Sequence, residues 1–140
     1  MSPKYMLDTN ICIYLMKHQP AQVKHRFDQC FVGEVVISAI TLAELEYGVT
    51  CSGAAAPSNR RMLESFTEDV PVVAFDTQAA NAYGPTRFAN RDRSRDALDK
   101  LIAAHAIALG VTLVTNNESD FSIYPELALE NWVGQPPSPH

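Results

Sequence analysis

"KYMLDTNICIYLMKH", residues 4–18, decides the fold, because a strand pattern gives way to a helix pattern at a single carboxylate. Residues 4–7 form a short apolar run that predicts a buried strand. After Asp8, the apolar residues Ile11, Tyr14 and Leu15 follow the i, i+3, i+4 spacing of a helix. Asp8 is therefore predicted at the carboxyl end of a strand, either as a helix cap or as part of a site.

The same alternation of strand and helix patterns continues along the chain. "VVIS" predicts a second buried strand, "PVVAF" a short strand and "VTLVTNN" another buried strand, and a final short strand is expected near "LALENW". "TLAELEYGV" predicts a helix that ends near Gly48. Short apolar strands that alternate with helices predict an α/β fold, with a mostly parallel sheet covered by helices on both faces.

Two later helices are predicted with specific features. Pro85 is expected to kink or shorten the helix over residues 76–90. "DALDKLIAAHAIALG" is the clearest helical pattern, with Gly110 as its C-terminal cap. Its spacing predicts a core-facing stripe of Leu98, Leu101, Ile102, His105 and Leu109.

Composition limits the class of protein. A chain of 140 residues with 46% hydrophobic content fits one globular domain, predicted over residues 1–133 with a disordered tail at 134–140. No apolar run is long enough to span a membrane and no signal peptide is recognisable, so a cytoplasmic protein is expected. The odd number of cysteines without CxxC spacing favours neither disulfides nor structural zinc. We interpret all of them as small hydrophobes: Cys12, Cys30 and Cys51.

The charge is unevenly distributed. A net charge of −5 argues against a general nucleic-acid coat. Nevertheless, five of the 11 basic residues fall between positions 87 and 100: Arg87, Arg91, Arg93, Arg95 and Lys100. The stretch is either a solvated loop or a patch that draws a polyanion over the neighbouring acids.

Four acids stand at predicted junctions between elements: Asp8, Glu44, Asp99 and Asp120. Each has a structural explanation when taken alone. Asp8 can cap a helix, and Thr41 with Glu44 forms the T-x-x-E pattern of a capping box in the first turn of its helix. Asp99 can oppose the dipole of the long helix, and Asp120 can be an ordinary turn residue.

Taken together, the acids indicate a metal site. The carboxyl ends of parallel strands meet in one crevice, where several of these side chains would converge. Gathered carboxylates repel one another unless a cation neutralises them. Oxygen donors without Cys or His at ligand spacing favour Mg²⁺, for which Mn²⁺ can substitute, and such a site activates water for attack on a phosphodiester.

"YMLDTNICI", "ISAITLAELEYGV", "ALDKLIAAHA" and "LVTNNESDF" resemble, in order and spacing, the motifs of the PIN domain, and most closely those of VapC toxins. The resemblance covers residues 4 to about 132. It implies a three-layer α/β/α sandwich, Mg²⁺-dependent endoribonuclease activity, a homodimer, and inhibition by a VapB antitoxin, with DNA bound only through that antitoxin.

Carried over by position, the resemblance assigns Asp8 and Asp99 as the usual metal ligands, with Glu44 as the second acid of the motif. Thr115, Asn117 and Asp120 occupy the last motif, where Asn at 117 leaves Asp120 as the fourth carboxylate. The Gly-Pro turn common before the third acid is replaced by Asp96 and Ala97. Asp96 is then either a helix cap, which we favour, or an additional acid.

The resulting hypothesis is a site that cleaves RNA, either tRNA or rRNA, with a tRNA anticodon stem-loop as the expected target. Thr9 and Asn10 would orient the first acid or water, Asn117 would position the substrate or a ligand, and Arg91, Arg93 and Arg95 would bind phosphates. A haloacid-dehalogenase-type phosphatase needs an Asp where Asn10 stands, and a receiver domain needs a late Lys, but none follows Lys100. The main rival is a non-catalytic PIN-like module that binds RNA or a protein.

Overall fold

A computed structural model describes residues 2–92 and 97–134, and its centre is a five-stranded sheet. The strands are β1 (Tyr5–Leu7), β2 (Val35–Ser38), β3 (Val72–Val73), β4 (Thr112–Val114) and β5 (Ala128–Glu130). The helices are α1 (Thr9–Lys17), α2 (Ala21–Asp28), α3 (Ala39–Thr50), α4 (Ala56–Asp69), α5 (Thr77–Ala89), α6 (Ala97–Leu109) and α7 (Glu118–Phe121), with a 3₁₀ turn at Gly53–Ala55. All strand pairs are parallel, which confirms the predicted fold class.

Side-chain alternation along the strands creates a core on each face of the sheet. Leu7 and Ile37 pack in one cluster with residues of α1 to α4, whereas Met6 and Leu113 pack in the other with residues of α6 and α7. Each fully buried Leu or Ile contributes about 1.5–3 kcal/mol relative to its exposed state. The three-layer α/β/α arrangement is therefore confirmed. No helix of the described ranges is long and apolar enough to cross a membrane.

The order of the strands places a crevice at the end of β1. The sheet runs β3-β2-β1-β4-β5, so the chain leaves β1 toward one edge and later returns to its other side at β4. Ligands of open α/β sheets bind at the carboxyl ends of the strands where the order reverses in this way. Asp8 directly follows β1 and Thr115 directly follows β4.

The predicted capping box in α3 is wrong. The helix begins at Ala39, and the Ser38 side chain caps it by accepting a hydrogen bond from the Ile40 backbone N–H at 3.0 Å. Glu44 therefore lies in the second turn, not the first, and Thr41 is fully buried. The helix also continues past Gly48 to Thr50.

Two other helices differ in part from their predictions. α5 runs through Pro85 to Ala89, so the predicted early end is wrong, whereas a kink at Pro85 stays a prediction. In α6, Ile102 and His105 are buried as predicted, but Leu98 and Leu109 remain 46% and 37% exposed because they lie near the two ends of the helix.

The cysteine interpretation holds for one residue of the three. Cys12 is buried as a small hydrophobe, Cys30 is half-buried, and Cys51 is exposed at the C-terminal cap of α3. Gly110 has φ +70°, which suits the predicted helix cap. Arg93, Arg95, Asp96 and residues 135–140 of the predicted tail lie outside the described residues.

Candidate active site at the carboxyl edge of the sheet

Asp8 is held at the point where β1 becomes α1. Its extended backbone (φ −70°, ψ 160°) makes it the N-cap of α1, and its Oδ1 accepts a hydrogen bond from the Thr9 backbone N–H at 2.7 Å. Its own backbone N–H donates to the Val114 carbonyl of β4 at 2.9 Å. Its role as a helix cap therefore does not exclude the predicted role in a site, and the residue is only 7% exposed.

The end of β4 supplies the second partner of Asp8. The Thr115 hydroxyl donates to Asp8 Oδ2 at 2.8 Å, and the same hydroxyl accepts from the Asn117 backbone N–H at 2.9 Å. The Asn117 amide in turn donates to Asp120 Oδ2 at 2.7 Å. Asp120 lies in the short helix α7, so the last predicted acid is connected to the first through two polar residues.

Glu44 reaches the same edge from α3. The Thr9 hydroxyl donates to Glu44 Oε1 at 2.8 Å, so Thr9 contacts Asp8 through its backbone and Glu44 through its side chain. Thr9 therefore links the two acids, and its orienting role in a site stays a prediction. Asn10 is exposed in the first turn of α1.

Asp99 comes to this edge through the topology of α6. The helix connects to β4 through a two-residue turn, so a helix that packs back along a parallel strand begins at the carboxyl edge. Asp99 is half-buried in its first turn. Over residues 2–92 and 97–134, however, no three His, Cys, Asp or Glu side chains form a ready-made group that could hold a metal ion.

Asp8 is electrostatically unusual. Burial raises the pKa of its carboxyl group, while the hydrogen bonds from Thr115 and Thr9 act in the opposite direction. Within the described part of the chain, no Lys, Arg or His forms an ion pair with it. A buried carboxylate with hydrogen-bond donors but no basic partner leaves negative charge available to a cation.

The donor set fits a hard divalent cation. Among the described residues, the groups that hydrogen-bond to the Asp8 carboxylate are a backbone amide and a hydroxyl, and the nearby Cys12 thiol is buried with its pKa raised by burial and by the charge of Asp8, which keeps it protonated. Mg²⁺ is usually held by one or two carboxylates and completes its octahedron with waters and substrate phosphates. Such a site does not need three preassembled protein carboxylates, so the dispersed acids remain compatible with it.

One contact near the site was not predicted from the sequence. The His105 Nδ1 lies 2.8 Å from the Ser38 hydroxyl, so the helix that carries Asp99 is joined to the cap of the helix that carries Glu44. The prediction of a packed core histidine is confirmed, since His105 is buried against the Phe75 ring. Burial lowers its pKa, opposed by the nearby Asp76.

An apolar groove adjoins the Thr9–Glu44 pair. A cavity of about 240 Å³ lies between α1, α3 and α4, with Thr9 and Glu44 at one side and Ile13, Leu45 and Met62 among its apolar lining. Arg91 lies elsewhere, exposed beyond the end of α5, where its guanidinium carbon is 4.4 Å from the centre of the Phe88 ring.

Comparison with known proteins identifies the family to which this chain belongs. Residues 5–127 match the PIN domain. The chain is 38% identical over 131 residues to the tRNA(fMet)-specific endonuclease VapC of Shigella flexneri, covering 92% of this chain and 98% of that protein. Its structure resembles that of DNA-bound VapBC from Salmonella typhimurium, with a TM-score of 0.84 and 37% identity over 93% of this chain and 98% of that one. It also resembles VapBC2 of Rickettsia felis bound to a promoter DNA fragment, with a TM-score of 0.82 and 36% identity over 91% of this chain and 98% of that one. The chain therefore belongs to the PIN-domain family and, within it, to the VapC ribonucleases of VapBC toxin–antitoxin systems.

Proposed function

We propose that this protein is an Mg²⁺-dependent endoribonuclease toxin whose target is the anticodon stem-loop of a tRNA. The observation that carries the proposal is the buried Asp8 carboxylate at the switch point of the sheet, which has donors but no basic partner among the described residues. The tRNA target is suggested by the similarity to an endonuclease named for tRNA(fMet).

In this proposal, Asp8 and Asp99 hold the metal, with Glu44 and Asp120 acting directly or through water. The bound cation supplies the charge that activates water and offsets the negative charge on the phosphate during cleavage. Thr115 fixes one oxygen of Asp8, and Thr9 fixes Glu44 relative to it. Asn117 holds Asp120 near the same edge and is available to position the substrate.

We also propose that a VapB-type antitoxin inhibits the protein and that any contact with DNA is through that antitoxin. Solved neighbours are VapBC complexes, two of them bound to DNA. The apolar groove beside Glu44 is suited to bind a hydrophobic segment of such a partner. A homodimer acting on RNA in the cytoplasm completes the proposal.

The test is cleavage of purified tRNA by the purified protein with Mg²⁺ or with EDTA. We expect cleavage only with Mg²⁺, and its loss in Asp8→Asn and Asp99→Asn. Glu118→Gln is the matched control, because Glu118 is an exposed acid at the same edge that contacts Asn131. A fully active Asp8→Asn protein would refute the proposal.

Calorimetric titration with Mn²⁺ separates the nuclease from its rival. A nuclease of the proposed kind binds the ion with an affinity that depends on Asp8 and Asp99. A module that binds RNA without cleaving it, and shows no Asp8-dependent uptake of Mn²⁺, would identify the non-catalytic alternative instead.

A further inference from the structure

Two aromatic–arginine pairs lie at the C-terminal end of α5. The Arg91 guanidinium carbon is 4.4 Å from the centre of the Phe88 ring, and that of Arg87 is 5.9 Å from the centre of the Tyr83 ring. Arg91 is further fixed by a hydrogen bond from its Nη1 to the Phe88 carbonyl at 3.0 Å. Two cations are thus held against ring faces on one short segment of surface.

Packing within the fold does not explain the presence of a large apolar side chain at Phe88. The buried residues of α5 are Ala79 and Thr86, whereas Phe88 is 66% exposed. Exposure alone is not diagnostic, since Phe31 is equally exposed before β2. Among the aromatic rings that the structure describes, the Arg91–Phe88 pair has the shortest cation–ring distance.

The end of α5 is anchored beside the acidic edge. The Asn90 side-chain amide donates to the Ile123 carbonyl at 3.4 Å. Ile123 follows α7, the helix that contains Asp120. Asn90, which lies between Phe88 and Arg91 in the chain, therefore contacts the segment just after the last acid of the proposed site.

Resting on the proposed function, we propose that Tyr83, Arg87, Phe88 and Arg91 form a binding surface for an unpaired nucleotide of the RNA substrate. A base stacks on the Phe88–Arg91 pair while the two arginines contact phosphates. Bases of loops and bulges can be splayed onto aromatic rings and guanidinium planes, whereas bases inside a duplex cannot. The surface thus selects RNA with an unpaired segment over continuous duplex.

The test measures the affinity of a fluorescein-labelled unpaired oligoribonucleotide and of a matched duplex, using the full chain with Asp8→Asn to prevent cleavage. Phe88→Ala is expected to weaken binding of the unpaired RNA by between about fivefold and about a hundredfold, the range for loss of one stacked base. Phe31→Ala, the matched control at equal exposure, is expected to stay within about twofold. Phe88→Trp is expected to retain affinity.

The salt dependence of RNA affinity separates the contribution of base stacking from that of phosphate contacts. Arg91→Ala should lower the slope of log affinity against log salt by about 0.7, because one phosphate contact is lost. Phe88→Ala should reduce affinity without changing that slope. The inference is overturned if Phe88→Ala matches Phe31→Ala, if it weakens duplex binding equally, or if the protein binds no unpaired RNA.

The two proposals fail separately. If the unaltered protein cleaves tRNA with Mg²⁺ and Phe88→Ala binds and cleaves as well as Phe31→Ala, the surface is wrong and the nuclease stands. If no RNA is cleaved but Phe88→Ala still weakens binding of unpaired RNA specifically, the surface stands and the nuclease is wrong.

Discussion

Two buried carboxylates at opposite ends of neighbouring strands have nearly equal exposure and opposite environments. Asp8, 7% exposed, follows β1, and Glu34, 6% exposed, precedes β2. Glu34 accepts the Phe31 backbone N–H at 2.7 Å and pairs with the Lys4 ammonium at 3.1 Å. Asp8 accepts a backbone N–H and a hydroxyl, but no basic side chain of the described residues pairs with it.

The pKa values of the two groups move in opposite directions. The Phe31 amide and then Lys4 lower the pKa of Glu34, whereas burial raises that of Asp8. The negative charge of Glu34 is thus stabilised by its hydrogen-bond and ion-pair partners. The negative charge of Asp8 is disfavoured by burial, and no basic side chain of the described residues offsets it. This difference fits a structural role for Glu34 and the metal-binding role that we propose for Asp8.

The largest expected effect comes from replacing Asp8 and Glu34, one at a time, by their neutral amides. Asp8→Asn should reduce Mg²⁺-dependent RNA cleavage by more than about a hundredfold, the upper end of what loss of a ligand's supporting partner costs. It should leave the free energy of unfolding unchanged or raised, because a buried charge without a basic partner is removed. Cleavage assays and urea denaturation measure the two quantities.

Glu34→Gln should give the reverse result. Cleavage should stay within about twofold because Glu34 lies at the opposite end of the sheet from the site, while the free energy of unfolding falls because Lys4 loses its partner. If Glu34→Gln abolished cleavage, or Asp8→Asn unfolded the domain, the distinction between the two ends of the sheet would be lost.

The next effect tests the hydroxyl that fixes Asp8. Thr115→Val removes the donor to Asp8 Oδ2 and the acceptor of the Asn117 N–H while preserving shape. We expect a loss of cleavage, and of Mn²⁺ affinity, of about ten- to a hundredfold.

Thr41→Val is the matched control for this change. Both threonines are fully buried, but the Thr41 hydroxyl has no hydrogen-bond partner among the described residues. Its replacement should therefore leave cleavage unchanged and stability equal or higher. Equal losses of activity in the two variants would show that buried polarity, not the contact with Asp8, matters.

The fold and part of the site could be predicted from the sequence because both depend on local pattern. The strand-to-helix transition around Asp8 is visible as a change of hydrophobic period, and the structure places Asp8 at that transition as a cap. The α/β class follows from repetition of the same pattern, and the two-faced core from alternation along each strand.

The remaining features depend on contacts between distant segments. Thr9 and Glu44 are 35 positions apart and meet through the packing of α1 against α3, while Asp8 and Thr115 are 107 apart and meet through the pairing of β1 with β4. The T-x-x-E pattern at Thr41 misled because Ser38, three residues earlier, is already an effective cap. Helical spacing likewise selected the buried face of α6 at Ile102 and His105, yet could not show that Leu98 and Leu109, near its two ends, remain partly exposed.

A smaller effect on stability is expected at Glu130, a second acid that has a basic partner. Arg26 pairs with Glu130 at 2.8 Å and lies over the partly exposed Tyr5 ring and the buried Trp132 ring. Arg26→Met should lower the free energy of unfolding by about 1 kcal/mol, from a modest ion pair and a partly exposed cation–π contact. Cleavage should be unaffected, and exposed Arg61→Met should change neither property. A loss of cleavage would assign a functional role to a paired acid, contrary to the comparison.

The smallest expected effect is in the pH dependence of stability. Because the pKa of folded Glu34 lies below its ordinary value of 4.5, the folded state holds the ionised form more readily than the unfolded state. Its contribution is fully present above that ordinary value and is lost as the pH falls through the lowered folded pKa. Urea midpoints measured from pH 6 downward should therefore fall less steeply for Glu34→Gln than for the unaltered protein. Parallel curves would show that Glu34 carries no more stabilising charge than an exposed acid, and the contrast with Asp8 would then rest on geometry alone.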